Sequence, residues 1–126
     1  MAWKDRNVFS WRRLAYSFKY AFQGIAHAYS NEKNFRFHIA AAILVTVCSF
    51  VFQLDKVEWL FILICIFGIF VLELINSALE RIVDLISEEY SQLAKQAKDL
   101  AAGAVFMYTI MTVIIGLVIF LPKIFG

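Results

Sequence analysis

Four polar residues in the second half of the chain recur at helical spacing. Glu73, Asn76, Glu80 and Asp84 are three, four and four residues apart. At about 100° per residue, their directions fall within an arc of about 80°, so a helix would carry them on one face. Carboxylates at this spacing repel one another, and the face needs a cation, a base or a proton to compensate it. The pattern therefore indicates a surface with a chemical role.

The first and third residues of this acidic face suit different tasks. Fourteen apolar residues, Trp59 to Leu72, precede Glu73, which places this carboxylate at a membrane boundary, where an ionisable group usually has a function and can act as a base. Glu80 would lie roughly 10 Å farther towards the cytosol. Mg²⁺ usually takes one or two carboxylates together with substrate phosphates, so Glu80 and a second acid elsewhere are candidate ligands.

For several other charged residues, the sequence alone supports two interpretations. Glu32 is an acid on the same side of the membrane, but a salt bridge to a neighbouring basic residue explains it equally well. Lys98 and Asp99 precede the last apolar stretch and would be ordinary juxtamembrane charges, although a lysine there could hold a phosphate as a point charge. His27 and His38 are isolated in the sequence, and we interpret both as interfacial polar tips.

The composition favours an all-α membrane protein with one domain, residues 1–126. Apolar residues make up 62% of the chain and charged residues 17%, against about 25% charged residues in soluble domains. Twelve basic and ten acidic residues are too few to coat a soluble globule, and one Pro and five Gly exclude low complexity. A net charge of +2 gives no argument for a nucleic-acid partner.

Three apolar stretches are long enough to cross a bilayer as helices, which takes about 20 residues. They lie at residues 37–54, 57–75 and 101–121. The polar pair Asp55-Lys56 predicts a tight hairpin that makes the first two helices antiparallel neighbours. With few helix-breaking residues after it, the second span is expected to continue into the cytosol and to turn near Glu88 to Ser91.

An amphipathic helix is predicted before the spans, at about residues 8–29. Apolar side chains recur there every three, four or seven residues, and the basic residues fall mostly off that stripe, which is typical of a helix in the inner membrane surface. Ten of the twelve Lys and Arg residues lie on the side of the N-terminus and of residues 76–100. The positive-inside rule then puts this side in the cytoplasm.

Residues on and around the acidic face form a recognisable pattern. Its members are Glu73, Asn76, Ser77, Ala78, Glu80 and Asp84, then Ala97-Lys98-Asp99 and Ala102-Gly103-Ala104, together with Gly24, Asn31-Glu32 and Phe35-Arg36 earlier in the chain. The pattern closely resembles the signature of the small prokaryotic integral-membrane lipid kinases, the diacylglycerol and undecaprenol kinases. The resemblance covers essentially the whole chain. It implies a multi-pass protein of the bacterial plasma membrane, a homotrimeric helical bundle with active sites between subunits at the cytoplasmic surface.

The resemblance also implies the reaction and its residues. The γ-phosphate of ATP would pass to a lipid hydroxyl, with Glu73 as the base, Asn76 as a hydrogen-bonding partner in the active site, and Asp84 in support. Mg²⁺ would be held by Glu32 and Glu80. The ATP-binding residues implied by matching position are Arg13, Tyr20, Glu32, Glu80, Glu89, Tyr90, Ser91, Lys98 and Asp99.

More than one acceptor lipid and more than one class of function are compatible with the sequence. The run Phe35 to His38 and the aromatic-rich start resemble the Gram-positive branch of the family, which implies undecaprenol, with diacylglycerol as the alternative. A small transporter with Glu73 as the ion or proton site is an interpretation of a different class, although such sites usually lie near the bilayer midplane between repeated helices. A non-catalytic membrane subunit would leave the acidic face unexplained.

Overall fold

The computed structural model describes residues 9–126, which form four α-helices and no strand. The helices are α1, Trp11–Asn31; α2, Lys33–Val51; α3, Lys56–Ile86; and α4, Gln92–Phe125. The predicted all-α class is confirmed. The chain divides into two compact units, residues 1–33 and residues 34–126. In length and composition α2, α3 and α4 can each cross a membrane, as a multi-pass membrane protein requires.

Helix α1 begins and ends with capping contacts. The Ser10 hydroxyl accepts a hydrogen bond from the Arg13 backbone N–H at 3.1 Å, which satisfies a donor of the first turn. Glu32 leaves the helical conformation after the last turn, and its N–H donates to the Ala28 carbonyl at 2.9 Å. The helix therefore begins three residues later and ends two residues later than predicted. The predicted first residue, Val8, lies outside the described residues.

The connection between α2 and α3 is the tight hairpin that the sequence predicts. Asp55 caps α3: its carboxylate accepts from the Glu58 N–H at 2.9 Å, while the Glu58 carboxylate accepts from the Asp55 N–H at 3.0 Å. This reciprocal capping box satisfies two donors at the helix start. Close ring pairs then join the two helices, Phe50 with Trp59 at 4.8 Å near the hairpin and Phe35 with Phe70 at 5.2 Å farther away.

Helix α3 is much longer than a membrane span. Its 31 residues extend over about 46 Å at about 1.5 Å per residue, against a hydrocarbon core of about 30 Å. The predicted continuation of the helix past residue 75 is confirmed, and the chain turns at residues 87–91. The cap at Ser91 then starts α4 at Gln92, nine residues before the predicted third span. Lys98 and Asp99 consequently lie within α4 and not on a connecting segment.

Helices α3 and α4 approach each other closely at a glycine. The Tyr108 side chain of α4 covers Gly68, where a Cβ atom would overlap the phenol ring, and its hydroxyl donates to the Ile64 carbonyl at 2.5 Å. Towards the hairpin, Leu54, Ile62 and Ile119 form a small buried core. Most large apolar side chains of the spans are exposed, as expected of helices that face lipid or other membrane helices.

This packing generates a stability test. We expect Gly68→Ala to be about 1–3 kcal/mol less stable than Gly116→Ala, since the new methyl group displaces Tyr108 and overpacks the contact, whereas a Cβ at Gly116 meets nothing within 4 Å. Both substitutions make the same gain in helix propensity. Thermal unfolding in detergent measures the difference. Equal unfolding temperatures for the two variants would contradict the close contact.

Candidate active site

Glu73 is a buried carboxylate with a histidine beside it. Only 7% of its surface is exposed, and its Oε1 lies 3.3 Å from the His38 Nε2 of α2, whose side chain is 14% exposed. The interpretation of His38 as an isolated polar tip is therefore wrong. Antiparallel helices joined at Asp55 bring together residues equally far from the hairpin, and His38 and Glu73 are 17 and 18 residues away from it. That symmetry is the signal that could have revealed the pair.

One turn farther along α3, Asn76 and Glu80 form a second polar pair. The Asn76 Nδ2 donates a hydrogen bond to the Glu80 Oε1 at 3.2 Å, which orients this carboxylate. The Asn76 Oδ1 is buried and has no hydrogen-bond partner. A buried acceptor without a partner costs about 1–3 kcal/mol, so native structures rarely keep one without a reason. The amide oxygen therefore marks a position where a ligand would supply a donor or a cation.

Asp84, the last residue of the acidic face, contacts α4. The Lys98 Nζ donates to the Asp84 Oδ1 at 2.6 Å and so ties the two helices together on either side of the turn at residues 87–91. The hydrogen bond to Asp84 raises the pKa of Lys98, and attraction by Asp84 and Glu80 adds to the effect. The ammonium group therefore stays charged and oriented. Asp99 faces a different lysine, with the Lys95 Nζ donating to its Oδ2 at 2.6 Å.

A cavity of about 410 Å³, most of whose lining residues are polar or charged, opens between the end of α3, the turn and the start of α4. The turn is held internally, since the Ser87 hydroxyl donates to the Glu89 carbonyl at 2.8 Å and the Tyr90 hydroxyl donates to the Gln92 side chain at 3.0 Å. Six of the residues singled out in the sequence line this cavity together. They are Asp84, Glu89, Tyr90, Ser91, Lys98 and Asp99.

The remaining candidates belong to the unit formed by residues 1–33. Arg13 and Tyr20 lie on α1, where the Tyr20 ring stacks on Tyr16 at 6.2 Å, and Glu32 is the half-buried residue that caps the helix. Their assignment to a site with residues of α3 and α4 stays a prediction.

The oxygen atoms on the acidic face suit Mg²⁺. Within residues 9–126, no group of three His, Cys, Asp or Glu side chains is arranged to hold a metal ion. Mg²⁺ needs fewer protein ligands than that, because it usually combines one or two carboxylates with substrate phosphates. The Glu80 carboxylate and the unpartnered Asn76 Oδ1 are hard oxygen donors of the required kind. These donor atoms therefore fit a magnesium ion shared with a phosphate.

An apolar groove of about 500 Å³ runs between α2, α3 and α4 and reaches His38. Its two threonines use their hydroxyl groups within α4, where Thr109 donates to the Val105 carbonyl and Thr112 to the Thr109 carbonyl, both at 2.8 Å. The groove is therefore apolar along most of its length and becomes polar at His38.

Comparisons with known proteins all find lipid kinases. A family model described as prokaryotic diacylglycerol kinase matches residues 19–120. An undecaprenol kinase of Bacillus subtilis is 49% identical over 111 residues, 88% of this chain and 90% of that protein. A diacylglycerol kinase of Synechocystis is 37% identical over 86% of this chain and 63% of its own length, and one of Escherichia coli is 30% identical over 86% and 88%. These similarities are to kinases, which favours the enzyme over the transporter.

The contact between Lys98 and Asp84 generates a titration test. We expect Asp84→Asn to lower the pKa of Lys98 towards the ordinary value of 10.5, because the substitution removes the acceptor's charge. In the unsubstituted protein the contact stabilises the fold below that ordinary value, and the contribution is lost as pH rises through the raised pKa. NMR of ¹³Cε-labelled lysines in detergent, assigned with Lys98→Arg, follows the titration.

The control for this titration is Asp99→Asn, which removes the charge beside Lys95 and leaves the contact of Lys98 intact. An identical Lys98 titration in the Asp84→Asn and Asp99→Asn variants would contradict the contact.

Proposed function

Because the chain belongs to the prokaryotic diacylglycerol kinase family, we propose that it transfers the γ-phosphate of ATP to the hydroxyl of a membrane lipid, with undecaprenol as the acceptor. The undecaprenol kinase of Bacillus subtilis, 49% identical to this chain, supports that acceptor. The observation that carries the proposal is the sequence of groups along α3: a buried carboxylate at Glu73, a half-buried amide and carboxylate pair at Asn76 and Glu80, and Asp84 beside a polar cavity.

Glu73 is the proposed general base. The hydroxyl of a membrane lipid lies at headgroup depth, and a carboxylate that ends an apolar span meets it without drawing the hydrocarbon chain out of the bilayer. As the hydroxyl oxygen forms its bond to the γ-phosphorus, its proton passes to Glu73. The bond between that phosphorus and the bridging oxygen of ADP breaks, and the products are the lipid phosphate and ADP.

Glu32 and Glu80 are the proposed ligands of Mg²⁺, which, when bound, would neutralise charge on the β- and γ-phosphates. Asn76 holds the Glu80 carboxylate through its Nδ2 and presents its Oδ1 to the same region. The contact from Asn76 reduces the freedom of Glu80 to rotate away. Phosphoryl transfer depends mainly on positioning and charge neutralisation, and these side chains supply both.

The cavity at the turn is the proposed nucleotide site. Lys98 offers a charged ammonium group that Asp84 orients, and Glu89, Tyr90, Ser91 and Asp99 line the same space. Arg13 and Tyr20 of α1 are proposed to complete it. A lysine is suited to phosphate because it is a compact charge with three donors.

We place the site on the cytoplasmic face of the plasma membrane, as the positive-inside rule implies. Helix α1 would lie in the inner surface, where its exposed aromatic side chains, Trp11, Phe18 and Phe22 among them, would enter the headgroup region. The proposed assembly is a homotrimer with the active sites between subunits. The many exposed apolar residues of α2, α3 and α4 offer the surface for such contacts.

The experiment that tests the function is transfer of radiolabel from [γ-³²P]ATP to purified lipid alcohols by the full-length protein in detergent. Undecaprenol and diacylglycerol are assayed in parallel at equal mole fraction. We expect undecaprenol to give the higher kcat/KM. A preference for diacylglycerol would change the acceptor and keep the enzyme class, whereas transfer to neither lipid would refute the proposal.

For the base, we expect Glu73→Gln to lower kcat by roughly 10²- to 10⁴-fold while Mg·ATP still binds, because the amide keeps the shape of the side chain and cannot take the proton. Radiolabel transfer and equilibrium binding of a fluorescent ATP analogue measure the two effects. Glu58→Gln makes the same change at the other end of α3, where Glu58 contacts Lys123 at 3.2 Å. The glutamine oxygen can still accept from the Asp55 N–H and keep the capping box, so this variant should keep its turnover. Unchanged turnover in Glu73→Gln would remove Glu73 from the chemistry.

For the metal, we expect Glu80→Gln to raise the Mg²⁺ concentration for half-maximal activity by at least about tenfold, since losing even an outer-shell contact commonly costs that much. The glutamine keeps an oxygen for the Asn76 amide, so the local structure should persist. A titration of activity against free Mg²⁺ at saturating ATP gives the value. An unaltered Mg²⁺ titration would exclude Glu80 as a ligand.

A further inference from the structure

The contact between His38 and Glu73 has no part in the function proposed above. It joins α2 to the proposed base on α3, with the imidazole Nε2 at 3.3 Å from the carboxylate Oε1. This distance is just beyond the usual hydrogen-bond range of about 2.7–3.2 Å. Catalytic contacts are commonly longer before substrate binds and shorten in the reacting complex. The pair is thus close enough to become a hydrogen bond through a small rotation.

The surroundings of Glu73 give the imidazole a specific task. His38 lies within ion-pair distance of this carboxylate. Glu73 is buried, and its neighbours on both sides in the sequence, Leu72 and Leu74, are apolar. A glutamate side chain has three rotatable bonds. Because Glu73 is buried, water cannot supply hydrogen bonds to its carboxylate in every rotamer. The imidazole is therefore in a position to favour one orientation of the carboxylate.

His38 is itself held in place by its neighbours. The Phe37 ring packs edge-on against the imidazole, with centroids 5.7 Å apart. One turn earlier, Phe35 is buried against Phe70 of α3, which fixes this part of α2 relative to α3. The threonine hydroxyls of the groove beside His38 do not compete for Glu73, because Thr109 and Thr112 use them within α4.

We propose that His38 is a positioning residue for the phosphoryl transfer: its Nε2–H holds the Oε1 of Glu73, and the other carboxylate oxygen is left to receive the proton of the lipid hydroxyl. The inference rests on the proposed function, since it assigns Glu73 the part of the base. A group that sets the geometry of a base acts on turnover more than on the binding of ATP.

The test compares two substitutions of His38 in the full-length protein. In His38→Gln the amide nitrogen reaches about as far as Nε2 and can donate to Glu73, whereas His38→Leu fills similar space without a donor. We expect His38→Leu to lower kcat by about 10- to 100-fold with little change in the KM for ATP, and His38→Gln to recover most of the loss. Radiolabel transfer at varied ATP and varied lipid separates kcat from KM.

Matched controls use the second histidine. His27 lies on α1 with its Nδ1 3.2 Å from the Asn31 amide nitrogen and is exposed, so His27→Leu and His27→Gln should both keep their turnover. If His38→Leu does not fold, His38→Asn replaces it, because the shorter amide places its nitrogen near the position of Nδ1 and does not reach Glu73. We then expect His38→Gln to be the more active of the two amide variants.

Two results would overturn the positioning role. One is full turnover in His38→Leu; the other is a His38→Gln variant no more active than the folded variant that lacks a reaching donor, which would mean that the imidazole serves packing alone. Neither result resembles a failure of the proposed function, in which the unsubstituted protein would itself phosphorylate neither lipid.

Discussion

The burial of one carboxylate constrains the rest of the structure. Removing an ionised group from water is costly unless a partner compensates it, and Glu73 is 7% exposed at the end of a long apolar run of α3. Its partner is on another helix, so the contact with His38 exists only if α2 and α3 are antiparallel in one register. The capping box of Asp55 and Glu58 and the ring pairs beyond it set that register. The hairpin therefore sets the register of the contact, although it lies at the opposite end of the span.

A second constraint comes from the length of α3. Because its 31 residues exceed the roughly 20 that a bilayer takes, the helix can carry its acidic face from a membrane boundary into water without a break. The turn at residues 87–91 reverses the chain so that α4 begins beside the C-terminal end of α3. The contact of Lys98 with Asp84 holds the two helices together there. At the membrane level, the close approach of Tyr108 to Gly68 ties them again. Two contacts at different depths thus keep the helices aligned.

Local patterns in the sequence were sufficient for much of this architecture. Helical spacing predicts the face from Glu73 to Asp84, and the absence of helix breakers predicts the continuation of α3 to a turn near residue 88. The start of α4 was missed because the turns before residue 101 are mostly polar, and a search for apolar spans does not detect a helix that begins with polar turns at the Ser91 cap. His38 was missed because its partner lies 35 residues away in the sequence, and pairing across a hairpin depends on register. The participation of Glu32 depends on the placement of α1 and stays a prediction.

The order of groups along α3 gives the proposed reaction a physical basis. Glu73 and Asp84 are 11 residues apart, about 16 Å along a helix axis. Between them, the environment changes from an apolar groove that ends at His38 to a polar cavity lined by Asp84 and Lys98. A lipid alcohol and a nucleotide have opposite solvent preferences, so an enzyme that joins them needs both environments within a short distance. Helix α3 brings the two environments within that distance, and in the proposed function this explains how so small a chain could carry out phosphoryl transfer without a separate nucleotide-binding domain.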